Sequence, residues 1–324
     1  MTRVYYPDPS AYPVAMSTLE PDAGRPSAAP DRTTALDRTA TSGWTAASDG
    51  RAGADSNRPD RLSIGLLQLL SAERPLTARS VLASTLLGTH PPRMPVSVLV
   101  RAGTLFGLGE GTVRTALSRM VTAGEASRTV EGRYELAGAM VQRQDRQEVS
   151  RSAVTNEWSG RWRQAVVDAG PRSAADRAAL RRSMERLRLG ELREGVWLRP
   201  DNLDADRLPA DREVVAGFIR WFDVHPDDDG KLAALLWNLP AWTERAMQLR
   251  RAMAELVSLL AAGDTGALAP GFVVSAAVLR HFHADPLLPR ELLDRRWPGD
   301  ALRADYERYD VAYQSLLRDW LRSD

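Results

Sequence analysis

The chain has 324 residues, with no cysteine and a single lysine, Lys231, among its 43 basic residues. Without cysteine there are no disulfides, thiolate metal ligands or cysteine nucleophiles, which is typical of proteins from a reducing cytosol. The near-absence of lysine is what a GC-rich genome produces, so a single arginine carries little information by itself. The positions of the arginines must therefore carry any functional argument.

Long hydrophobic runs and an imbalance of charge are also absent. No run of about 18 apolar residues occurs, so no membrane-spanning helix is expected. The N-terminus lacks an apolar segment behind positive charge, so no secretory signal is expected. The formal net charge is +1, which by itself indicates no polyanionic partner. These absences predict a cytoplasmic protein that makes no membrane contact.

Motifs of catalysis and of cofactor binding are missing as well. The chain contains no glycine-rich phosphate loop, no G-x-S-x-G nucleophile elbow and no H-E-x-x-H metal motif. We therefore expect a protein that is not an enzyme and that holds no cofactor and no metal ion.

Changes in composition divide the chain into five predicted segments, with an α+β fold class overall. Residues 1–60 contain too few aliphatic side chains to offset chain entropy and are predicted to be a disordered leader. Residues 61–137 are predicted to form a winged helix-turn-helix domain, and residues 138–157 a linking helix. Residues 158–226 are predicted to form a ferredoxin-like dimerisation domain, followed by an all-helical domain in residues 227–324.

The prediction for residues 61–137 depends on the order of short elements. The runs RLSIGLLQLL and LTARSVLASTLLG are aliphatic and of helical length, and the breaker THPPRMP ends them. A second helix is predicted in VSVLVRAGTLFG, and a third over residues 110–123, ending at Gly124. Two short segments then flank Glu131-Gly132, a dipeptide that suits a tight hairpin. Helices followed by a two-stranded wing are the order of a winged helix-turn-helix.

The third helix has the residue types of a DNA-reading helix. One apolar face is formed at helical spacing by Val113, Ala116, Leu117, Met120 and Val121, which leaves a polar face opposite. Arginine can bond a guanine edge with two hydrogen bonds, and hydroxyls can bond bases or phosphates. Residues 61–136 contain nine arginines and five glutamates, an excess of four positive charges. The predicted DNA-binding residues are Thr112, Arg114, Thr115, Ser118 and Arg119 of the helix and Arg128 and Arg133 of the wing. A winged helix that contacts only protein is the alternative that this pattern leaves open.

The following segment has a different pattern. RWRQAVVDA is predicted to be a strand, RSAADRAALRRSMERLRLG a helix, and REGVWLRPDN and EVVAGFIRWFDV two further strands. This βαββ order suggests a ferredoxin-like unit. Four long helical patterns make up most of the chain from residue 227 onwards.

Three separate stretches carry a resemblance to a known family. The run from LTARSVLAS through VRTALSRMVTAGE to EGRYEL is similar to the N-terminal domain of the PaaX family of bacterial transcriptional regulators. WSGRWRQAVVD and ELREGVWLRPDNL resemble the first two strands of that family's middle domain, and FHADPLLPRELLDRRWPGD resembles its C-terminal motif. The resemblance covers about residues 75–322. It implies a homodimeric repressor of aromatic-compound (phenylacetate-like) catabolism genes that binds a palindromic double-stranded DNA operator. It also implies an aromatic acyl-CoA or related effector that relieves repression.

Tryptophans are concentrated in the middle of the chain and suggest an effector site. Such side chains can surround an aromatic ligand, with an arginine bonding its phosphates or carboxylate. The predicted effector-binding residues are Trp162, Arg163, Trp197 and Trp221. Packing of the core and between domains accounts for the tryptophans equally well, so both interpretations stay open.

Two further constellations suggest other chemistry. His281, His283 and Asp285 in RHFHADP have ligand types, but residues at i and i+2 diverge on a helix and cannot share a metal ion. Asp168 follows the first predicted strand of the middle domain. As an alternative function, two such aspartates across a dimer could hold a divalent ion in a ferredoxin-like nuclease.

Overall fold

The computed structural model describes residues 62–73, 76–89, 91–204 and 206–323. The predicted leader, residues 1–60, lies outside the described residues. The described helices are α1 (Ile64–Ala72), α2 (Ala78–Leu87), α3 (Val96–Thr104), α4 (Glu110–Thr122), α5 (Ala139–Arg151), α6 (Ala174–Arg186), α7 (Pro209–Ala216), α8 (Asp229–Leu236), α9 (Leu239–Ala261), α10 (Leu268–His283) and α11 (Gly299–Arg322). The described strands are β1 (Arg93–Pro95), β2 (Ala126–Arg128), β3 (Arg133–Leu136), β4 (Trp162–Val167), β5 (Gly190–Arg193), β6 (Val196–Pro200) and β7 (Ile219–Val224). None of the described helices is both long and apolar enough to span a membrane.

Helices α2, α3 and α4 and a small sheet form what we call the N-terminal unit (residues 76–136). Its core joins side chains of all three helices, among them Leu82, Leu99 and Leu117, none of which is exposed to solvent. The sheet has the order β1-β3-β2 and is antiparallel throughout. Strand β1 was not predicted, because the proline-rich run THPPRMP was interpreted only as a helix breaker. The hairpin thus gains a third strand.

Glycine allows α3 and α4 to approach closely. A Cβ atom on Gly103 would lie 2.7 Å from Cγ2 of Val113, so a larger residue there would separate the helices. Gly107, in the turn between them, has φ +66°, a left-handed conformation that favours glycine. Helix α3 therefore ends at Thr104, before the end of the predicted segment VSVLVRAGTLFG.

Helix α1 packs with the C-terminal helices rather than with the N-terminal unit. Leu66 and Leu69 are buried in the same core as side chains of α9, α10 and α11. Ser63 caps α1, and its backbone N–H and hydroxyl both donate to the carboxylate of Glu255. The predicted domain of residues 61–137 is therefore corrected at its start, since its first helix belongs to the C-terminal core.

The central unit (residues 162–224) is a four-stranded antiparallel sheet in the order β5-β6-β4-β7, with the chain order βαββαβ. The predicted βαββ order was wrong in two places. REGVWLRPDN is not one strand, because Gly195 adopts φ +76° and turns the chain between β5 and β6. EVVAGFIRWFDV is not one strand either. Helix α7, which has Pro209 and Asp211 in its first turn, extends to Ala216, and β7 begins after Gly217.

Both faces of this sheet are covered. Helices α6 and α7 bury side chains such as Met184 and Val215 against Ala165 and Trp197 on one face. On the other face Trp162 and Leu198 pack against Ala233 of α8. The central unit is thus joined to the C-terminal helices through α8.

Three arginines hold the C-terminal end of α5. Nη2 of Arg188 donates to the Ser150 hydroxyl (3.2 Å), and Nη2 of Arg207 donates to the carbonyl of Val149 (2.9 Å). Nε of Arg303, on α11, donates to the carbonyl of Arg151 (3.2 Å). Cations at a helix C-terminus stabilise its unpaired carbonyl groups. Helix α5 is therefore fixed to the central unit and to the C-terminal helices at one point.

Candidate nucleic-acid interface

Helix α4 has one buried face and one uncovered face. Val113, Leu117 and Met120 are at most 1% exposed and pack into the core of the N-terminal unit. Val121, assigned to the apolar face by its spacing, is instead 39% exposed. The buried side chains fix the rotation of α4 about its axis, so the identity of the uncovered side chains follows from the packing.

The predicted helix residues all lie on the uncovered face. Those exposed to solvent are Thr112, Arg114, Thr115, Ser118 and Arg119. Nε of Arg114 donates to Oε1 of Glu110, one turn earlier (2.7 Å), and the Nη groups of Arg114 take no part in this hydrogen bond. The structure thus brings five of the seven predicted DNA-binding residues together on one surface.

The N-terminus of α4 is open. Gly109 is its N-cap residue and offers no side-chain acceptor, although the first N–H groups of any helix lack intrahelical partners. Nothing lies within 4 Å of the Cβ position at Gly109 or Gly111. Such a helix end can bind a phosphate group through its N–H groups and its dipole.

The two predicted wing arginines are both exposed but lie on opposite faces of the hairpin. Arg133 lies on the same face as Glu135. Arg128 is opposite Tyr134 in the strand register and lies on the face that packs toward the core. Strand β1 places Arg93 opposite Glu135 and hence on the face of Arg133. Sequence reasoning missed Arg93, because no local pattern indicated that this strand joins the hairpin.

Acidic side chains neutralise few of these arginines. Glu110 pairs with Arg114 and Glu125 with Arg79. Among the described residues, no salt bridge is formed by Arg93, Arg119, Arg128 or Arg133. A hydrogen bond from Thr129 lowers the pKa of Glu131, helped by Arg93 and Arg133 nearby, so one anionic group stays at the hairpin tip.

The four predicted effector residues do not share one surface. Register places Trp162 on the sheet face covered by α8, whereas Trp197 and Trp221 lie opposite Ala165 on the face of α6 and α7. Trp162 is fully buried, and its indole Nε1 donates to Oδ1 of Asp229 (2.7 Å). Sequence spacing did not reveal this division, because it depends on the pairing of three strands.

On the α6 and α7 face, arginines cover the two tryptophans. The guanidinium of Arg163 lies 5.2 Å from the ring centre of Trp221 and pairs with Asp223 at 3.2 Å. The guanidinium of Arg181 lies 5.2 Å from the ring of Trp197. Cation–π contacts within the protein thus already occupy these rings.

We predict that Trp162→Phe lowers the free energy of unfolding by about 1.5–3 kcal/mol, measured by urea denaturation. The variant loses a hydrogen bond to a carboxylate in a buried setting. Trp221→Phe, at a half-buried position, is the matched control and should lose less than about 1 kcal/mol. A Trp162→Phe variant as stable as the wild type would contradict a packing role for this residue.

The histidines and aspartate of RHFHADP are placed apart. His281 is buried, stacks on Trp242 with 4.2 Å between ring centres, and has a pKa lowered to about 4 by burial. Nδ1 of His283 lies 2.7 Å from the Ser150 hydroxyl. Asp285 pairs with Arg303, both being buried. In the part of the chain that the structure describes, no three His, Asp or Glu side chains are arranged to hold a metal ion.

Asp168 directly follows β4, an inner strand of the central sheet. Its carboxylate accepts a hydrogen bond from Nε of Arg220 (2.8 Å), and both side chains are well exposed. Its backbone N–H donates to the carbonyl of Phe218, which continues the pairing of β4 with β7. Asp168 thus continues the strand pairing through its backbone, and its carboxylate is paired with Arg220.

The fold and the interface together define a class of protein. It is an α+β protein that combines a ferredoxin-like central unit with a small helical unit whose basic helix is uncovered. The PaaX-like protein family matches residues 77–140, and the PaaX protein central Cas2-like domain matches residues 155–223.

One solved structure gives a longer match. It is the uncharacterized protein Rv0674 from Mycobacterium tuberculosis, at 40% sequence identity over 76% of this chain and 99% of that chain, with a TM-score of 0.57. The comparison with curated proteins finds no match. The chain belongs to the PaaX family. Membership of this family suggests a transcriptional regulator.

Proposed function

We propose that the protein is a sequence-specific, DNA-binding transcriptional repressor whose N-terminal unit is a winged helix-turn-helix. The observation that carries this proposal is the uncovered face of α4, where two arginines and three hydroxyl side chains stand beside an open helix N-terminus. A recognition helix contacts bases mainly with its N-terminal residues, which assigns Arg114, Thr115 and Ser118 to bases. Thr112 and Arg119 then contact the backbone.

In this proposal the hairpin is the wing. Arg93 and Arg133 lie on one of its faces, and neither forms a salt bridge among the described residues. Long basic side chains there are suited to phosphates, which position a protein on DNA without reading its sequence. Arg128, on the other face, reaches a different part of the backbone.

We further propose that the protein acts as a homodimer on a palindromic operator. Two recognition helices then contact successive major grooves, about 34 Å apart. An aromatic acyl-CoA or related effector, as the family resemblance implies, would stabilise an arrangement that no longer matches this spacing. Trp162 cannot share a pocket with Trp197 and Trp221 across the sheet, so the four predicted effector residues do not form a single effector pocket.

The test is selection of binding sites from a random DNA library with the full chain, followed by footprinting on the region upstream of its own gene. Both are done at about 150 mM salt, since binding to polyanions depends on salt. We expect an enriched palindrome and protection that an aromatic acyl-CoA removes. No enrichment of any sequence would overturn DNA reading and favour a protein-interaction module.

We predict that Arg133→Ala weakens binding to all DNA sequences alike. The variant should also reduce the magnitude of the slope of log affinity against log salt concentration by about 1. Loss of one phosphate contact removes about one released counterion. Arg93→Ala should behave in the same way, because it occupies the same face. Arg182→Ala, which removes an exposed arginine of α6, is the control and should leave the slope unchanged.

We propose a binding function rather than catalysis, with Asp168 in a structural role beside Arg220. The competing function, metal-dependent cleavage, predicts degradation of DNA or RNA that requires a divalent ion and that Asp168→Ala abolishes. Incubation of labelled DNA and RNA with Mg²⁺ or Mn²⁺ distinguishes the two. Nuclease activity that co-purifies with the wild-type protein and is absent from Asp168→Ala would overturn the repressor proposal.

A further inference from the structure

We propose that α10 and α11 set the orientation of α4, with Phe272 and Trp320 as positioning residues for a DNA contact that they do not make. This inference rests on the proposed DNA-binding function. It assigns to the C-terminal helices a role in operator selectivity, through their contacts with α3 and with the turn that leads into α4.

The first contact is at the turn itself. Phe106 lies between α3 and α4, and its ring meets that of Phe272 on α10 edge-on, with 4.9 Å between ring centres. Leu105 beside it packs against the core of the C-terminal helices. Edge-to-face aromatic pairs stabilise a defined geometry beyond simple burial. The three residues between Phe106 and Glu110 leave α4 little freedom to move independently of this contact.

The second contact is on α3. The guanidinium of Arg101 lies 5.0 Å from the ring centre of Trp320 on α11, in a cation–π arrangement. Helix α3 meets α4 closely at Gly103 and Val113, so the two helices move as one body. A change in the position of Arg101 is therefore transmitted to α4.

A third anchor lies at the entry to the N-terminal unit. The carboxylate of Glu73, at the end of α1, pairs with Arg245 of α9 and with Arg280 of α10. Four residues later Thr77 caps α2. The chain is thus held to the C-terminal helices three residues before the N-terminal unit begins, and the unit itself is held at the turn before α4.

These anchors affect selective binding more than general binding. Base contacts require α4 to enter the groove at a fixed angle, and in a dimer both helices must fit at once. Attraction to phosphates is long-ranged and depends little on orientation. Loosening α4 therefore lowers the ratio of specific to nonspecific affinity, although none of the altered residues faces DNA.

The chain has no cysteine, so orientation can be measured directly. Spin labels on Thr122→Cys at the end of α4 and Val311→Cys on α11 report the distance between the two elements without DNA. Labelled chain is diluted with unlabelled chain so that only distances within one chain are seen. The distribution is compared between the wild-type background, Phe272→Ala/Trp320→Ala, and the control Phe218→Ala, which removes a half-exposed phenylalanine of the central unit.

We expect one narrow distribution for the wild-type background and for Phe218→Ala, and a shifted or broadened one for the double variant. In unlabelled proteins the ratio of specific to nonspecific affinity should fall about 3–30-fold for the double variant only. Phe272→Leu, which keeps an apolar contact, should recover part of this loss. Thermal unfolding of each variant confirms that it is folded.

An unchanged distribution in the double variant would overturn the inference, and so would a changed distribution with an unchanged affinity ratio. If the wild-type protein prefers no DNA sequence, the proposed function fails, and the DNA part of the inference fails with it. The distance measurement then still shows whether Phe272 and Trp320 hold α4.

Discussion

Arg114→Ala should weaken binding to the selected operator by about 1–3 kcal/mol, and it should relax the base preference at one position of each half-site. Arg114 stands in the second turn of α4 on its uncovered face, and its side chain is 57% exposed. Its Nε is bonded to Glu110, which orients the planar guanidinium while both Nη groups stay available. Two parallel donors match the O6 and N7 acceptors of guanine.

The measurement is fluorescence anisotropy on the selected operator and on single-base variants of it. Nonspecific affinity should change little, since one of several positive charges is lost. Glu110→Gln is the companion variant: it keeps a hydrogen-bond acceptor but removes a negative charge near phosphates. It should strengthen binding to all sequences without altering the base preference. If Arg114→Ala retains the affinity and the base preference of the wild type, the uncovered face of α4 has been wrongly assigned to base reading.

Asp285→Asn should lower the free energy of unfolding by about 3–5 kcal/mol, the largest stability change that we expect from removal of one charge. Asp285 and Arg303 are both buried, with Oδ2 and Nη1 2.8 Å apart. Nη2 of Arg303 has no hydrogen-bond partner in the described part of the chain, and the Arg303 guanidinium lies over the ring of Phe282. Removing Asp285 thus leaves a buried cation without its anionic partner.

Urea denaturation of Asp285→Asn, Arg303→Met and the double variant measures this coupling. The double variant should be more stable than the sum of the two losses implies, because no charge is left unpaired. Asp223→Asn breaks the exposed pair with Arg163 and is the matched control, with an expected loss under about 1 kcal/mol. A similarly small loss for Asp285→Asn would show that the buried pair does not stabilise the packing of α11 against the segment that follows α10.

Other buried arginines of this protein also donate to backbone carbonyl groups. Arg199 is enclosed, and its guanidinium donates to the carbonyls of Pro200 and Leu187 and to Asn202. Burial lowers its pKa to about 9, so it keeps its charge at neutral pH. A guanidinium can satisfy several carbonyl groups at once, which a lysine cannot do in a plane. The arginine bias noted in the composition therefore has a structural use at these positions, whatever its origin.

Local sequence patterns predicted the individual helices and strands better than they predicted which of these elements pack together. Leu117 and Met120 were assigned to a buried face by helical spacing and are buried. Arg93 was missed because β1 has only three residues and includes Pro95, and such a short run does not show the alternation of side chains that is typical of a strand. Val214 and Val215 favour a strand in the segment of α7, whereas the packing of Val215 against α6 and the sheet stabilises a helix there.

Local sequence patterns predicted the helices of the N-terminal unit, the uncovered basic face of α4 and the membership of the PaaX family, because these depend on residues close together in the chain. Local pattern did not predict that Arg93 lies on the face of Arg133, or that the central sheet separates Trp162 from Trp197. Nor did it predict that α1 packs with the C-terminal helices or that Phe272 contacts the turn before α4. Strand register and helix packing are set by contacts between residues that are distant in sequence. The spacing of side chains along one segment carries no record of such contacts.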